Sequence, residues 1–210
     1  MKLESLQELA LVRLVDDDEA LRDALSLMLS YAGWRVETHA DAAEFLRSDR
    51  PSVPGCLVLD YLMPDMDGIR LQAQMKARGY RLPIIFLSGH GDMDVAIECF
   101  RGGAADFLKK PVDEDRLLAL VEKLCEKSVL EARGLPGRDE LLVIVQGMGE
   151  KMRGVLRLMA DGVTTAAIAE RLSLSEHSVY EYRTRIYKAV RTKNLAELPI
   201  SEILATLKTP

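Results

Sequence analysis

The chain has 210 residues, 48% apolar and 29% charged, ordinary values for a soluble globular protein and enough for one large domain or two small ones. No window approaches the roughly 18 unbroken apolar residues of a membrane span, and Glu4 and Glu8 interrupt the start in a way a signal peptide does not. The three scattered cysteines, Cys56, Cys99 and Cys125, have neither zinc-ligand spacing nor a paired framework, which fits a reducing cytoplasm. Charge divides the chain. Residues 1–130 hold 23 acidic and 16 basic side chains, whereas 151–195 hold 4 and 9. An acidic front and a locally basic back predict two modules with different partners.

In chain order, LVRLV (11–15) reads as a short strand ending at Asp16. The segment after Asp18 repeats leucine at helical spacing until Gly33, a plausible C-terminal stop. WRVETH follows as a strand, and DAAEFLRS as a short helix opened by Asp41. The continuous apolar run Cys56–Leu59 is the pattern of a strand covered on both faces, and it meets Asp60 where Met-Pro and Asp-Gly loop chemistry begins. A helix near 67–78, the strand LPIIFLS, a helix over 93–102, the strand ADFLKK and a helix over about 113–127 complete the series. Strands alternating with helices imply right-handed crossovers, hence a parallel five-stranded sheet with helices on both faces.

That order brings Asp16, Asp17, Asp60, Ser88 and Lys110 to the carboxyl edge of the sheet, where open α/β folds bind ligands. Clustered carboxylates repel one another unless a cation joins them. Mg²⁺ suits the set, because it takes oxygen ligands, keeps waters and accepts a substrate phosphate. With a hydroxyl and an ammonium opposite, the set proposes phosphoryl transfer onto a carboxylate. Asp18 and Glu19 read instead as acids at a helix N-terminus.

The stretches VDDDEALRDAL, LDYLMPDMDG and LSGHGDMDVAIECFRGGAADFLKKP resemble the receiver domain of two-component response regulators, in the FixJ-like branch, over roughly residues 11–126. The resemblance implies a flavodoxin-like fold and phosphorylation of Asp60 by a sensor histidine kinase. It implies that Asp16, Asp17, Asp60 and the backbone carbonyl of Leu62 hold Mg²⁺, with Ser88 and Lys110 on the phosphate. Phe107 is then the aromatic that reorients with it, and Lys110–Pro111 a cis peptide. His90, two residues past Ser88, is close enough to influence hydrolysis of the phosphoryl group. Phosphatases of the haloacid dehalogenase type also use such an aspartate, but they need a second Asp two residues on, and Leu62 stands there. Beyond self-catalysed phosphoryl acceptance and hydrolysis, no enzyme activity is expected.

Residues 128–140 have the Gly, Pro and charge of a linker, and the LLVIV run (141–145) that follows reads as a buried helix. Val155, Leu156, Leu158 and Met159 mark a helix ending at Gly162. Two short helices follow, capped by Thr164 and Ser175 and joined by a tight turn, the second rich in basic and hydroxyl groups. This part resembles the helix-turn-helix of LuxR/FixJ/NarL regulators over about 148–207, although tyrosines stand at 180 and 182 where many relatives have lysine and histidine. Val179, Ile186 and Val190 fall on one face, with Ile168 and Leu172 to meet them. Ser178, Val179, Tyr180 and Arg183 are candidates for the DNA groove, and Arg185, Lys188, Arg191 and Lys193 for phosphates.

The expectation is therefore a flavodoxin-like receiver (11–127), a linker (128–140) and an all-α helix-turn-helix domain (141–210). It is a cytoplasmic transcriptional regulator that uses Mg²⁺, double-stranded DNA, a sensor histidine kinase and RNA polymerase, with no membrane partner. It dimerises on phosphorylation through the 93–108 surface. The alternative is a response regulator whose second module binds a protein.

Overall fold

A computed structural model describes residues 3–89 and 93–207, so His90 lies outside the described residues. The described residues divide into two compact units, 3–129 and 130–207.

The first unit is built on five parallel strands: β1 (Leu11–Val15), β2 (Val36–His39), β3 (Gly55–Asp60), β4 (Ile84–Ser88) and β5 (Asp106–Lys109). Their order in the sheet is β2-β1-β3-β4-β5. Because side chains alternate along a strand, β3 serves both faces. Leu57 and Leu59 join Val15, Ile84 and Phe86 in a core that includes Phe45 of α3 (Ala42–Ser48), Leu71 and Met75 of α4 (Gly68–Ala77) and Cys99 of α5 (Met93–Gly102). On the other face, Cys56 meets Cys125 of α6 (Glu114–Ala132), with 3.6 Å between the sulfurs, which settles both cysteines as buried hydrophobes. Helices start where side-chain acceptors were expected. Asp18 caps α2 (Glu19–Tyr31) by accepting from the Ala20 and Leu21 amides, and Asp41 caps α3.

Two glycines let backbones come close. A Cβ on Gly55 would fall 1.8 Å from the Leu11 carbonyl oxygen, where β1 and β3 meet. On Gly68, at the start of α4, it would fall 2.6 Å from the carbonyl oxygen of Asp60. The loop after Asp60 can therefore fold back tightly over the end of β3.

Three features depart from expectation. The unit includes a helix before residue 11, α1 (Leu3–Leu9), whose Leu6 is buried and whose Gln7 amide donates to the Ala32 carbonyl. Strand β1 contains a fully buried arginine. Arg13 Nε donates to Asp49 Oδ1 at 2.7 Å, and its terminal nitrogens donate to the carbonyls of Leu11, Arg50 and Val53. The linker is also shorter than 128–140, because α6 continues to Ala132 and α7 (Arg138–Gln146) already begins within it. Val129 extends the buried stripe of Leu117, Val121 and Cys125 by one more turn, which overrides the polar composition around it.

The second unit is helical: α7, α8 (Glu150–Ala160), α9 (Thr165–Leu172), α10 (Glu176–Val190), a 3-10 turn at Leu195–Glu197 and α11 (Ile200–Thr206). Thr164 and Ser175 cap α9 and α10 as the sequence predicts, and Ser173 turns the chain between them in the left-handed region. Val179, Ile186 and Val190 are wholly buried with Ile168, Leu141, Val145, Val155 and Leu156. Leu172 packs at the edge of that core, and α11 closes it with Ile200, Ile203 and Leu204.

Candidate functional site

The carboxyl edge of the sheet gathers charges from three strands. Parallel pairing sets Val15 beside Leu59 and Asp60 beside Leu87, so Asp16 and Asp60 emerge from neighbouring strand ends. Asp16, Asp17 and Asp60 each place a carboxylate oxygen within 4.8 Å of the others. Asp16 is fully buried. Its Oδ1 accepts the Asp18 amide and its Oδ2 accepts Lys110 Nζ, both at 2.9 Å. The same ammonium lies 3.0 Å from Asp60 Oδ1, and Arg22 donates to the Asp16 carbonyl. Lys110 stands just past β5, and its amide donates to the Ser88 carbonyl; Lys110–Pro111 is cis.

Burial pushes the Asp60 carboxyl above the ordinary carboxylate range. Lys110 opposes that shift, and the charges of Asp16 and Asp17 add to it. Burial alone would lower the Lys110 ammonium, but its bonds to Asp16 and Asp60 prevail and raise it. Two buried acids and one exposed acid, with a single ammonium between them, leave net negative charge at a solvent-open edge. That donor set fits a hard divalent cation that keeps some of its water.

Ser88 ends β4 and is buried beside this pocket edge. Phe107 stands opposite Phe86 in the sheet register and packs half-buried on the core. Leu62 stands two residues past the end of β3 and is more than half exposed. On α5, Cys99 faces the core while Ile97 and Phe100 stay exposed at 41% and 49%.

In the second unit α10 sorts its polar residues by face. Tyr180, 69% exposed, lines a groove of about 700 Å³ with Arg183, Thr184, Tyr187, Lys188 and Lys193. Arg185 lies on a different side, in a second groove with Ile144 of α7, Met148 of the connection that follows and Met152 of α8; Lys188 borders both grooves. Ser178 is tied to the cap, its hydroxyl 2.9 Å from that of Ser175. Arg191 is ion-paired with Glu140. Val179, a groove candidate by sequence, is fully buried and cannot touch DNA. Its place on the Val179–Ile186–Val190 stripe assigns it to the core.

Comparison with known proteins decides the family. Residues 12–122 match the response regulator receiver domain, and residues 148–201 match the bacterial regulatory proteins of the luxR family. The chain belongs to the response regulators. It is 34% identical to the transcriptional regulatory protein FixJ of Azorhizobium caulinodans over 92% of each chain. It is 32% identical to the response regulator protein TodT of Pseudomonas putida over 90% of this chain and 83% of that one. The crystal structure of full-length FixJ from B. japonicum aligns with a TM-score of 0.55 at 30% identity, covering 95% of this chain and 98% of that one. A receiver joined to a LuxR-type module makes this response regulator a phosphorylation-controlled, DNA-binding transcriptional regulator. The protein-binding alternative for its second module gives way to DNA.

Sequence reasoning missed two groups of this regulator's polar contacts. It did not see that Lys110 bridges Asp16 and Asp60 directly, since residues 16 and 110 lie 94 positions apart. It also passed over Tyr187, which receives a hydrogen bond from Arg183. Their i, i+4 spacing on α10 was the available signal.

Proposed function

We propose that Asp60 is the phosphoacceptor and that Asp16, Asp17, Asp60 and the Leu62 carbonyl hold Mg²⁺. The observation that carries this reading is the Lys110 ammonium held between Asp16 and Asp60 at the rim of a three-carboxylate cluster. When bound, Mg²⁺ neutralises charge on the transferring phosphoryl group. Asp60 supplies the attacking carboxylate oxygen. A new P–O bond forms as the P–N bond to the kinase histidine breaks, and the imidazole leaves with the electron pair. Lys110, already within 3.0 Å of Asp60, then pairs with a phosphoryl oxygen. Ser88 supplies its hydroxyl from the next strand, and Phe107 follows that movement, shifting a two-state equilibrium.

The regulator works in the cytoplasm; among the described residues no helix is long and apolar enough to cross a membrane. A sensor histidine kinase donates the phosphoryl group, and double-stranded DNA and RNA polymerase are the output partners. A second copy engages the exposed Ile97 and Phe100 surface after phosphorylation. One incubation with acetyl phosphate and Mg²⁺ tests both parts. The intact mass should rise by one phosphoryl group in the wild type and not in Asp60→Asn. The sedimentation coefficient should rise only in the labelled protein. Undiminished labelling of Asp60→Asn refutes the acceptor, and a fully labelled monomer at micromolar concentration refutes the dimer.

A further inference from the structure

Among the cations on α10, Arg183 is held unlike the rest. Its Nη2 donates to Tyr187 Oη at 3.0 Å, and its guanidinium carbon lies 5.6 Å from the Tyr187 ring centroid. Helical side chains lean toward the N-terminus, so Tyr187 reaches back over the turn that carries Arg183. Arg191, the residue after α10, is tied to a carboxylate, Glu140, and its charge is already answered. The partner of Arg183 is a neutral phenol, which leaves the positive charge and the remaining N–H donors available. Both residues line the groove that also holds the exposed Tyr180.

Thr184 adds to this arrangement. Its hydroxyl donates to the Tyr180 carbonyl at 3.0 Å, which fixes the rotamer and gives the groove a methyl group in a set position. This part of the groove, which Lys188, Arg191, Thr192 and Lys193 also line, thus presents a held guanidinium, a held threonine side chain and an aromatic ring. A guanidinium can fork onto a phosphate too, but phosphate oxygens offer that fork in several orientations, so holding it in one plane matters less there. One that reads a base edge gains more, since two parallel bonds to guanine O6 and N7 require the fork in one plane. Holding the fork beforehand also reduces the rotamer freedom lost on binding.

We infer that Tyr187 is a positioning residue that orients Arg183 to read a guanine in the major groove. This rests on α10 being the DNA-contacting helix, as proposed by its match to the luxR family. Arg183 makes the base contact and Tyr187 acts through it. Tyr187 carries no charge, so its role lies in base preference and not in the electrostatic part of affinity.

The test selects bound duplexes from a random pool with the full chain, treated with acetyl phosphate and Mg²⁺, and then measures salt dependence on the selected site. The wild type should enrich guanine at one half-site position, and Arg183→Ala should lose that enrichment. Tyr187→Phe, which keeps the ring and removes the hydroxyl, should reduce the guanine preference by about fivefold, near the lower end for a bidentate base contact. Its salt slope and thermal midpoint should remain those of the wild type. Tyr187→Leu added to Arg183→Ala should cost no further preference, since the two act as one unit. If Arg183→Ala lowers the salt slope by about one unit and spares every base preference, Arg183 is a phosphate contact and the inference falls while DNA binding stands. An unchanged guanine preference in Tyr187→Phe also overturns it. A wild type that binds no duplex overturns the DNA reading itself.

Discussion

The two functional regions of this regulator are assembled by opposite means. The edge proposed as phosphoacceptor draws Asp16, Asp60, Ser88 and Lys110 from the ends of four different strands, and all but Lys110 are buried. Their positions follow from backbone register across the sheet, with Gly68 allowing the chain to close against Asp60. The surface proposed to meet DNA instead comes from one helix, whose periodicity decides what faces outward. There most polar side chains are exposed or half-buried, and several of them are cations. A site built from sheet register should fail as a whole when the framework is disturbed, whereas a site built on one helix face should lose its function in increments.

The sharpest way to break this comparison is through Arg13 and Asp49. Neither side chain has exposed surface, and the pair joins β1 to the segment after α3. Asp49→Ala leaves a buried guanidinium without its counter-charge, a change that typically costs about 3–5 kcal/mol. Urea unfolding of the receiver transition should show a loss of this size, with helix content of the second unit retained until its own transition. Replacing both residues, Arg13→Met with Asp49→Leu, should recover only part of it, because the carbonyls of Leu11, Arg50 and Val53 also lose their donor. A loss below about 1 kcal/mol in Asp49→Ala would place the pair among weak surface-like bridges and remove it from the framework.

How much of this was legible follows the same division. The apolar runs at Cys56 and Ile84 announced buried parallel strands, and the residues that end them were therefore placed correctly at one edge. Short apolar-to-polar transitions carry that information without any knowledge of partners. Arg13 was not legible, because a lone arginine inside LVRLV reads as an outward-facing strand residue, and its partner lies 36 positions away. Helix α1 escaped notice because Glu4 and Glu8 hide a helix of seven residues with Leu6 buried. Helix α11 escaped because Pro199 precedes it without a side-chain cap, whereas Asp41 announced the equally short α3. On α10 the same periodicity gave the buried face at once, yet it did not say which of two grooves each exposed cation would border. Only packing against α7 and α8 separates Arg185 from Arg183.

A smaller effect sharpens the other half of the comparison. Arg185→Ala and Lys188→Ala should each flatten the salt dependence of duplex binding by about one unit, equally on all sequences. Arg191→Ala should flatten it less, because Glu140 already answers that charge. Glu140→Ala should then do the reverse and steepen the slope by freeing Arg191. Equal slopes for Arg185→Ala and Arg191→Ala would mean that the Arg191–Glu140 pair opens on DNA, and the graded picture of this surface would need that correction.

The smallest expected effect belongs to His39, at the end of β2 and 5% exposed. Its ring meets Phe45 edge-on at 5.4 Å, Nδ1 lies 3.3 Å from the Ser48 hydroxyl, and Nε2 has no hydrogen-bond partner among the described residues. Burial lowers its pKa from the ordinary 6.5, against the pull of Glu44, Asp49 and Glu37 and with the push of Arg13. Below pH 6.5 the unfolded chain therefore takes up a proton that the folded chain resists. The stability contributed by neutral His39 is complete above 6.5 and is lost as pH falls toward the folded pKa, with a slope of at most about 1.4 kcal/mol per pH unit. The difference between wild type and His39→Gln isolates this one group. Receiver unfolding measured between pH 7.5 and 5 should steepen in the wild type relative to the variant. Parallel curves would show that His39 gains its proton without cost when folded, and that this corner of the sheet is as forgiving of charge as the exposed face of α10.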